Sequence, residues 1–246
     1  RDLHCLLHSF PTRRSPDLWP EVEAAWRALP DGAPALLTGP APALEAVARA
    51  AGPRAGLSFH PTPNRGRDVA PFLTLLNAGL LDGVDAALKL HTKRSPHLID
   101  GDLRRRLLFH ALAGNRGNVA RILRLFEDPG TGLAGFAPAF RRHPRYWFDD
   151  RARVEALCAA MRPACAPRLG FFEGTMFWVR PAALAPLRGL ALTPQDFEEE
   201  QGQTDGALHH AVERVFTLAA AAAGGRTLSL RGRLLLPADP RPPSSA

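Results

Sequence analysis

Two polar clusters carry the residue types that hold phosphate. Asn64-Arg65-Gly66-Arg67-Asp68 offers two guanidinium forks, and His91-Thr92-Lys93-Arg94-Ser95 adds an imidazole and an ammonium. Brought to one edge of a sheet, they suit a phosphate or pyrophosphate group; the plainer alternative is a solvated basic loop beside a capped helix. A third cluster, Phe197 to Gly206 (FEEEQGQTDG), is rich in carboxylates and runs into a helix expected over Ala207 to Ala223. Continued to Asp205, that helix puts Asp205, His209 and Glu213 at i, i+4 and i+8 on one face, with His210 and Arg214 on the next. Carboxylates at a helix start also suit the helix dipole without any catalysis. Asp205 and His209 could ligate a divalent metal, but no third ligand is indicated, so no cofactor is assigned.

Two further stretches could touch a ligand. In Gly170 to Pro181 (GFFEGTMFWVRP), Gly174 and Thr175 would let backbone approach a bound group, or mark a tight turn before a buried strand. Phe140 to Phe148 (FRRHPRYWF) could face an anion or a sugar ring, or form a surface loop with a partly buried aromatic.

Strands ending at these clusters would position them. Leu57 to His60 reads as a strand before the first cluster, and Ala86 to Leu90 as a mostly buried strand before the second. Between them, Val69, Phe72, Leu73, Leu75 and Leu76 mark a helix; Asp68 is placed to cap it through its side chain, and Pro71 falls in its first turn. Helices are expected at Trp19 to Leu29, Ala41 to Ala51, Asp102 to Leu112, Asn118 to Phe126 and Arg151 to Met161. Strands are expected at Ala35 to Thr38 and Gly132 to Phe136. Short-spaced alternation of strand and helix argues for an α/β fold with a parallel, Rossmann-like sheet, whose ligands gather at the carboxyl ends of the strands.

Residues 10–18, FPTRRSPDL, resemble the translation of a sequencing-adaptor oligonucleotide, so residues 1–16 read as a non-native leader and the first strand of the sheet as missing. Leu3, Cys5, Leu6 and Leu7 could serve as a surrogate strand. Residues 17–236 then form one domain, and the Pro/Ser-rich residues 237–246 a disordered tail.

With 46% hydrophobic residues in 246, the chain can bury a full core, and no apolar run reaches the roughly 18–20 residues that span a bilayer. A formal charge of +7 favours an anionic partner, although an Arg-rich, Ala-rich composition also follows from high genomic GC content. Nucleic acid ranks last, since aromatics make up 7% and no nucleic-acid motif is present. Cys158 and Cys165 match no zinc spacing and read as free thiols.

NRGRDVAPFL, KLHTKRS, GTMFWVRP and the closing pattern Phe197, Glu200, Gly202, Gln203, Asp205, Gly206, His210, Ala211, Glu213, Arg214 resemble the rhamnan synthesis protein F family of bacterial polysaccharide-assembly proteins, over most of Trp19 to Gly225. The resemblance implies a cytoplasmic glycosyltransferase-type domain, peripheral to the inner membrane where acceptors are lipid-linked. A weaker likeness to GT-A glycosyltransferases implies a nucleotide-sugar donor, with dTDP-rhamnose as the candidate, and a glycan acceptor. It also implies an Asp-x-Asp metal site where this chain has His91-Thr92-Lys93, which puts metal dependence in doubt. On that reading Asn64, Arg65, Arg67, Asp68, His91 and Lys93 hold the donor, Gly174 and Thr175 line the acceptor side, and Asp205 or Glu200 is the general base. The competing function is a non-catalytic glycan-binding or scaffolding module of a polysaccharide synthase.

Overall fold

The computed structural model describes residues 4–9, 15–92, 101–203 and 205–239. The first half of the chain alternates strand and helix: β1 (His4–Ser9), α1 (Trp19–Arg27), β2 (Ala35–Gly39), α2 (Ala41–Ala51), β3 (Leu57–Pro61), α3 (Val69–Asn77) and β4 (Ala86–His91). Then come α4 (Gly101–Ala113), α5 (Arg116–Leu123), β5 (Thr131–Gly135), β6 (Phe140–Arg141), α6 (Arg151–Ala160), β7 (Phe171–Phe172) and β8 (Phe177–Val179). The chain closes with α7 (Ala185–Arg188), α8 (Leu208–Ala222), β9 (Arg226–Ser229) and β10 (Leu234–Leu236).

The main sheet has eight strands in the order β10-β9-β5-β8-β4-β1-β2-β3, while β6 and β7 make a small separate pair. The parallel expectation holds for β1 to β4, which pair as β3-β2-β1-β4. Beyond β4 the sheet is mixed: β8 runs antiparallel to both β4 and β5, β9 is parallel to β5, and β10 is antiparallel to β9. A strand of three residues entered from a tight turn has too little pattern to declare its direction.

His4–Ser9, within the segment read as a leader, lies between β2 and β4, with Cys5 to Ser9 buried. Cys5, Leu6 and Leu7 of the surrogate set thus lie in a strand of the sheet, while Leu3 lies outside the described residues. At the other end, Arg168 bonds Pro237 O and pairs with Asp239 at 2.6 Å, so residues 237–239 are fastened rather than part of a loose tail.

Helices cover both faces. Side chains of α1, α2, α4 and α5 fill one core layer, and α3, α6, α7 and α8 the other. Strand alternation sorts β4 between them: Ala86, Leu88 and Leu90 enter the first layer and Ala87 the second, which turns Lys89 and His91 toward α3 and α8. Helix α8 is buried almost all round, and its alanine-rich end sits close on the sheet. A Cβ on Gly132 of β5 would fall 3.0 Å from that of Ala220 and 3.3 Å from Gly225 Cα. Among the described residues, no helix is long and apolar enough to cross a membrane.

Candidate functional site

Two left-handed corners face each other at the carboxyl end of β4. At the first, Gly66 (φ 62) and Arg67 (φ 55) turn the chain into α3. Gly66 is fixed by contact as well as by φ, since a Cβ there would lie 2.6 Å from Ala70 Cβ and 2.7 Å from the Phe197 ring. At the second, Gly174 (φ 86) and Thr175 (φ 47) lead into β8. A β-branched residue in this region costs roughly 1–3 kcal/mol and persists only where its surroundings hold it.

What holds it is a buried ion pair. Lys89 Nζ lies 2.5 Å from Asp68 Oδ2 and donates to Thr175 O (3.0 Å) and Thr175 Oγ1 (3.2 Å), while the Thr175 hydroxyl also donates to Asp68. All three ammonium donors are thereby engaged, and the rings of Phe72, Phe177 and Phe216 surround the charge at 5.6 to 5.9 Å. Burial works against ionising Asp68, but the charges of His91 and Lys89 and the hydrogen bonds from Lys89 and Thr175 outweigh it and hold the carboxyl well below its usual range. Asp68 occupies the N-cap position of α3 but makes no side-chain capping bond, because its carboxylate is turned to Lys89; the expected cap is corrected accordingly.

The arginines of the first cluster are also engaged. Arg67 donates to both oxygens of Glu200 (2.8 and 3.3 Å), to Gln203 O and to His210 Nε2 (3.2 Å). Arg65 pairs with Glu199 at 2.7 Å and bonds Phe197 O, and Asn64 is exposed.

Beside the corners opens a cavity of about 550 Å³. Arg67, Asp68, His91, Gly174 and Thr175 form its floor. His91 Nε2 donates to Gly174 O at 2.6 Å, tying β4 to the second corner. Arg104 from α4 and Arg141 from β6 add positive charge at the sides; Arg141 pairs with Glu173 at 2.5 Å. The remaining wall is α8, through His209, His210 and Glu213. Glu213 Oε1 accepts from Gly174 N at 2.8 Å. Burial pushes the Glu213 carboxyl up to about 7, with Arg214 and the Gly174 N–H opposing and Asp68 and Glu173 reinforcing.

Asp150, Asp205 and His210 bring one ligand atom each within 4.8 Å of one another. Guanidinium groups already balance this group: Arg214 lies 2.9 Å from Asp150 and 3.9 Å from Asp205, and Arg67 touches His210. Burial first, then the neighbouring Asp205 carboxylate, raises the Asp150 carboxyl to about 7, with Arg214 opposing. His209, the partner expected for Asp205, is not in this group.

Of the residues singled out in the sequence, Arg67, Asp68, His91, Gly174 and Thr175 therefore meet at one cavity. Asn64, Arg65, Glu200 and Asp205 do not line it; Glu200 stands behind Arg67, and Asp205 accepts from Asp149 N at 2.9 Å. Lys93 lies outside the described residues. The helix begins at Leu208, so the shared face reduces to His209 and Glu213. Lys89 carried no sequence expectation, although a lysine in the apolar run AALKLH was its signal.

The main sheet is mixed and flanked by helices, with a polar cavity at the end of a central strand. The fold resembles that of mannosyltransferase PcManGT from Pyrobaculum calidifontis, solved in complex with GDP-Man and Mn2+, with a TM-score of 0.51 and 16% identity over 91% of this chain and 54% of that one. Residues 54–224 match Rhamnan synthesis protein F, and the chain belongs to that family. It is also 38% identical over 174 residues to the uncharacterized protein WxcX in two strains of Xanthomonas campestris pv. campestris. The chain spans about a quarter of the length of those relatives, the match covering 25% of them and 70% of this chain.

Proposed function

We propose that this chain is a glycosyltransferase-type domain of cell-surface polysaccharide assembly, of GT-A type. It transfers a sugar, with rhamnose as the candidate, from a nucleotide-diphosphate donor to a glycan acceptor at the cytoplasmic face of the inner membrane. The observation that carries this reading is the cavity itself: it gathers cationic side chains, Arg104 and Arg141, beside His91 at the carboxyl end of β4. Transfer from such a donor needs cations that stabilise the departing diphosphate.

The fold neighbour was solved with GDP-Man and Mn2+. In this chain the residues nearest to a metal set already have arginine partners, so no step is assigned to a cation. The diphosphate would instead meet Arg104, Arg141 and His91, with Arg67 held in place by Glu200.

Calorimetry with dTDP-rhamnose, GDP-mannose and UDP, each with and without magnesium, tests the reading. Micromolar affinity for one donor, lowered at least tenfold in Arg104→Ala or Arg141→Ala, is the expected result. A folded chain that binds no nucleotide sugar would turn the assignment toward a glycan-binding scaffold.

A further inference from the structure

The geometry points to the α8 wall of the cavity as the acceptor subsite, with Glu213 receiving the proton of the attacking hydroxyl and His209 hydrogen-bonding a neighbouring hydroxyl of the same sugar. This inference rests on the sugar-transfer reading and names the substrate class of its second half. It assigns the base to a residue other than Asp205 or Glu200.

Three features of the wall support it. His209 is only 4% exposed and lines the cavity, yet neither ring nitrogen has a hydrogen-bond partner among the described residues. A buried polar group left open in this way is destabilising, and a ligand hydroxyl would remove that cost. Burial first, then the charges of His210 and Arg67, lower its pKa to about 3, so the ring is neutral and offers one donor and one acceptor, as a hydroxyl does. Glu213 lies one helical turn further along the same face. Its Oε1 is held by Gly174 N, and its Oε2 has no hydrogen-bond partner among the described residues.

The two other candidates are spent on structure. Glu200 holds both nitrogens of the Arg67 fork, and Asp205 accepts from Asp149 N beside Asp150 and Arg214. Neither lines the cavity.

In the transfer itself, the acceptor oxygen forms a bond to the anomeric carbon as the bond from that carbon to the diphosphate breaks. The diphosphate leaves with the electron pair, and the hydroxyl proton passes to Glu213. Arg214, Asp68, Glu173 and the Gly174 N–H are the charged and polar groups that bear on Glu213, and with burial they place its ionisation near neutral pH.

Glu213→Gln separates base from anchor, because the amide oxygen still accepts from Gly174 N while the proton acceptor is gone. Transfer from dTDP-rhamnose or GDP-mannose, whichever the intact protein binds, is followed to p-nitrophenyl α-rhamnoside and to water. Expected for Glu213→Gln are a fall in kcat of at least about 100-fold, melting no lower than that of the unaltered chain, donor affinity within about twofold, and loss of a pH limb near 7. Formate should restore turnover to Glu213→Ala, a rescue that a purely structural role would not permit. His209→Phe should raise the acceptor KM about tenfold with kcat largely kept. A Glu213→Gln protein that turns over within threefold of the unaltered chain and keeps the limb overturns the inference and leaves the transferase reading intact. If Glu213→Gln fails to fold, Glu213→Asp serves instead: a lowered kcat with the limb kept supports the assignment, and unchanged kcat overturns it. An unaltered chain that binds no nucleotide sugar overturns both.

Discussion

The floor of the cavity and its α8 wall solve opposite problems. On the floor, Asp68, Lys89 and Thr175 are closed upon one another, and the Arg67 fork is closed upon Glu200 and Gln203. On the wall, His209 and one oxygen of Glu213 have no hydrogen-bond partner among the described residues. Polar groups that satisfy each other define a shape but have little left for a ligand; groups left open define chemistry and depend on others for their placement. In this molecule the most heavily bonded charges are scaffold, and the less conspicuous ones face the cavity.

The largest effect that would break this contrast is expected at Lys89. Lys89→Met leaves the buried Asp68 carboxylate without its cation and should cost about 3–5 kcal/mol in urea unfolding. Lys89→Met combined with Asp68→Leu should recover much of that loss. A single variant that unfolds like the unaltered protein would show that the floor is not held by this pair. Next is Gly66→Ala, whose methyl meets Ala70 and Phe197 in a left-handed corner; a loss of about 2 kcal/mol is expected by the same measurement.

The smallest effect sharpens the comparison from the wall. Glu213 has a folded pKa near 7 against an ordinary 4.5, so the unfolded chain releases its proton first as pH rises. This carboxyl therefore costs stability progressively between about pH 4.5 and 7, and the cost levels off above that. Relative to the unaltered chain, Glu213→Gln should gain about 1–3 kcal/mol between pH 5 and pH 8. Parallel urea midpoints across that range would mean that Glu213 is solvated.

The alternation of β1 to β4 with their helices was readable because each strand is a short apolar run and each helix has a clear face; Ala41–Ala51 falls where its pattern places it. The direction of β8 was not, since Phe177–Val179 has no periodicity to read. Arg67, His91, Gly174 and Thr175, singled out by their types, line the cavity. Helical spacing on paper carries Asp205 into α8, but Gly206 takes φ 76 in the structure and ends the pattern. Glu213 was visible only as a member of a helix face, since nothing local to Val212-Glu213-Arg214 tells that Gly174 will meet its carboxylate. That contact joins residues 39 apart in sequence.

The close seat of α8 on β5 has a mechanical meaning. Ala220 rests against Gly132 and Gly225 with no room for another methyl group, which clamps the far end of the helix to the sheet. Glu213 lies seven residues nearer the cavity, about 10 Å along the axis. Helix α8 is then a cantilever: its root is set in glycine and alanine, and its tip carries His209 and Glu213, so the aim of the reactive groups is fixed by the smallest side chains in the molecule.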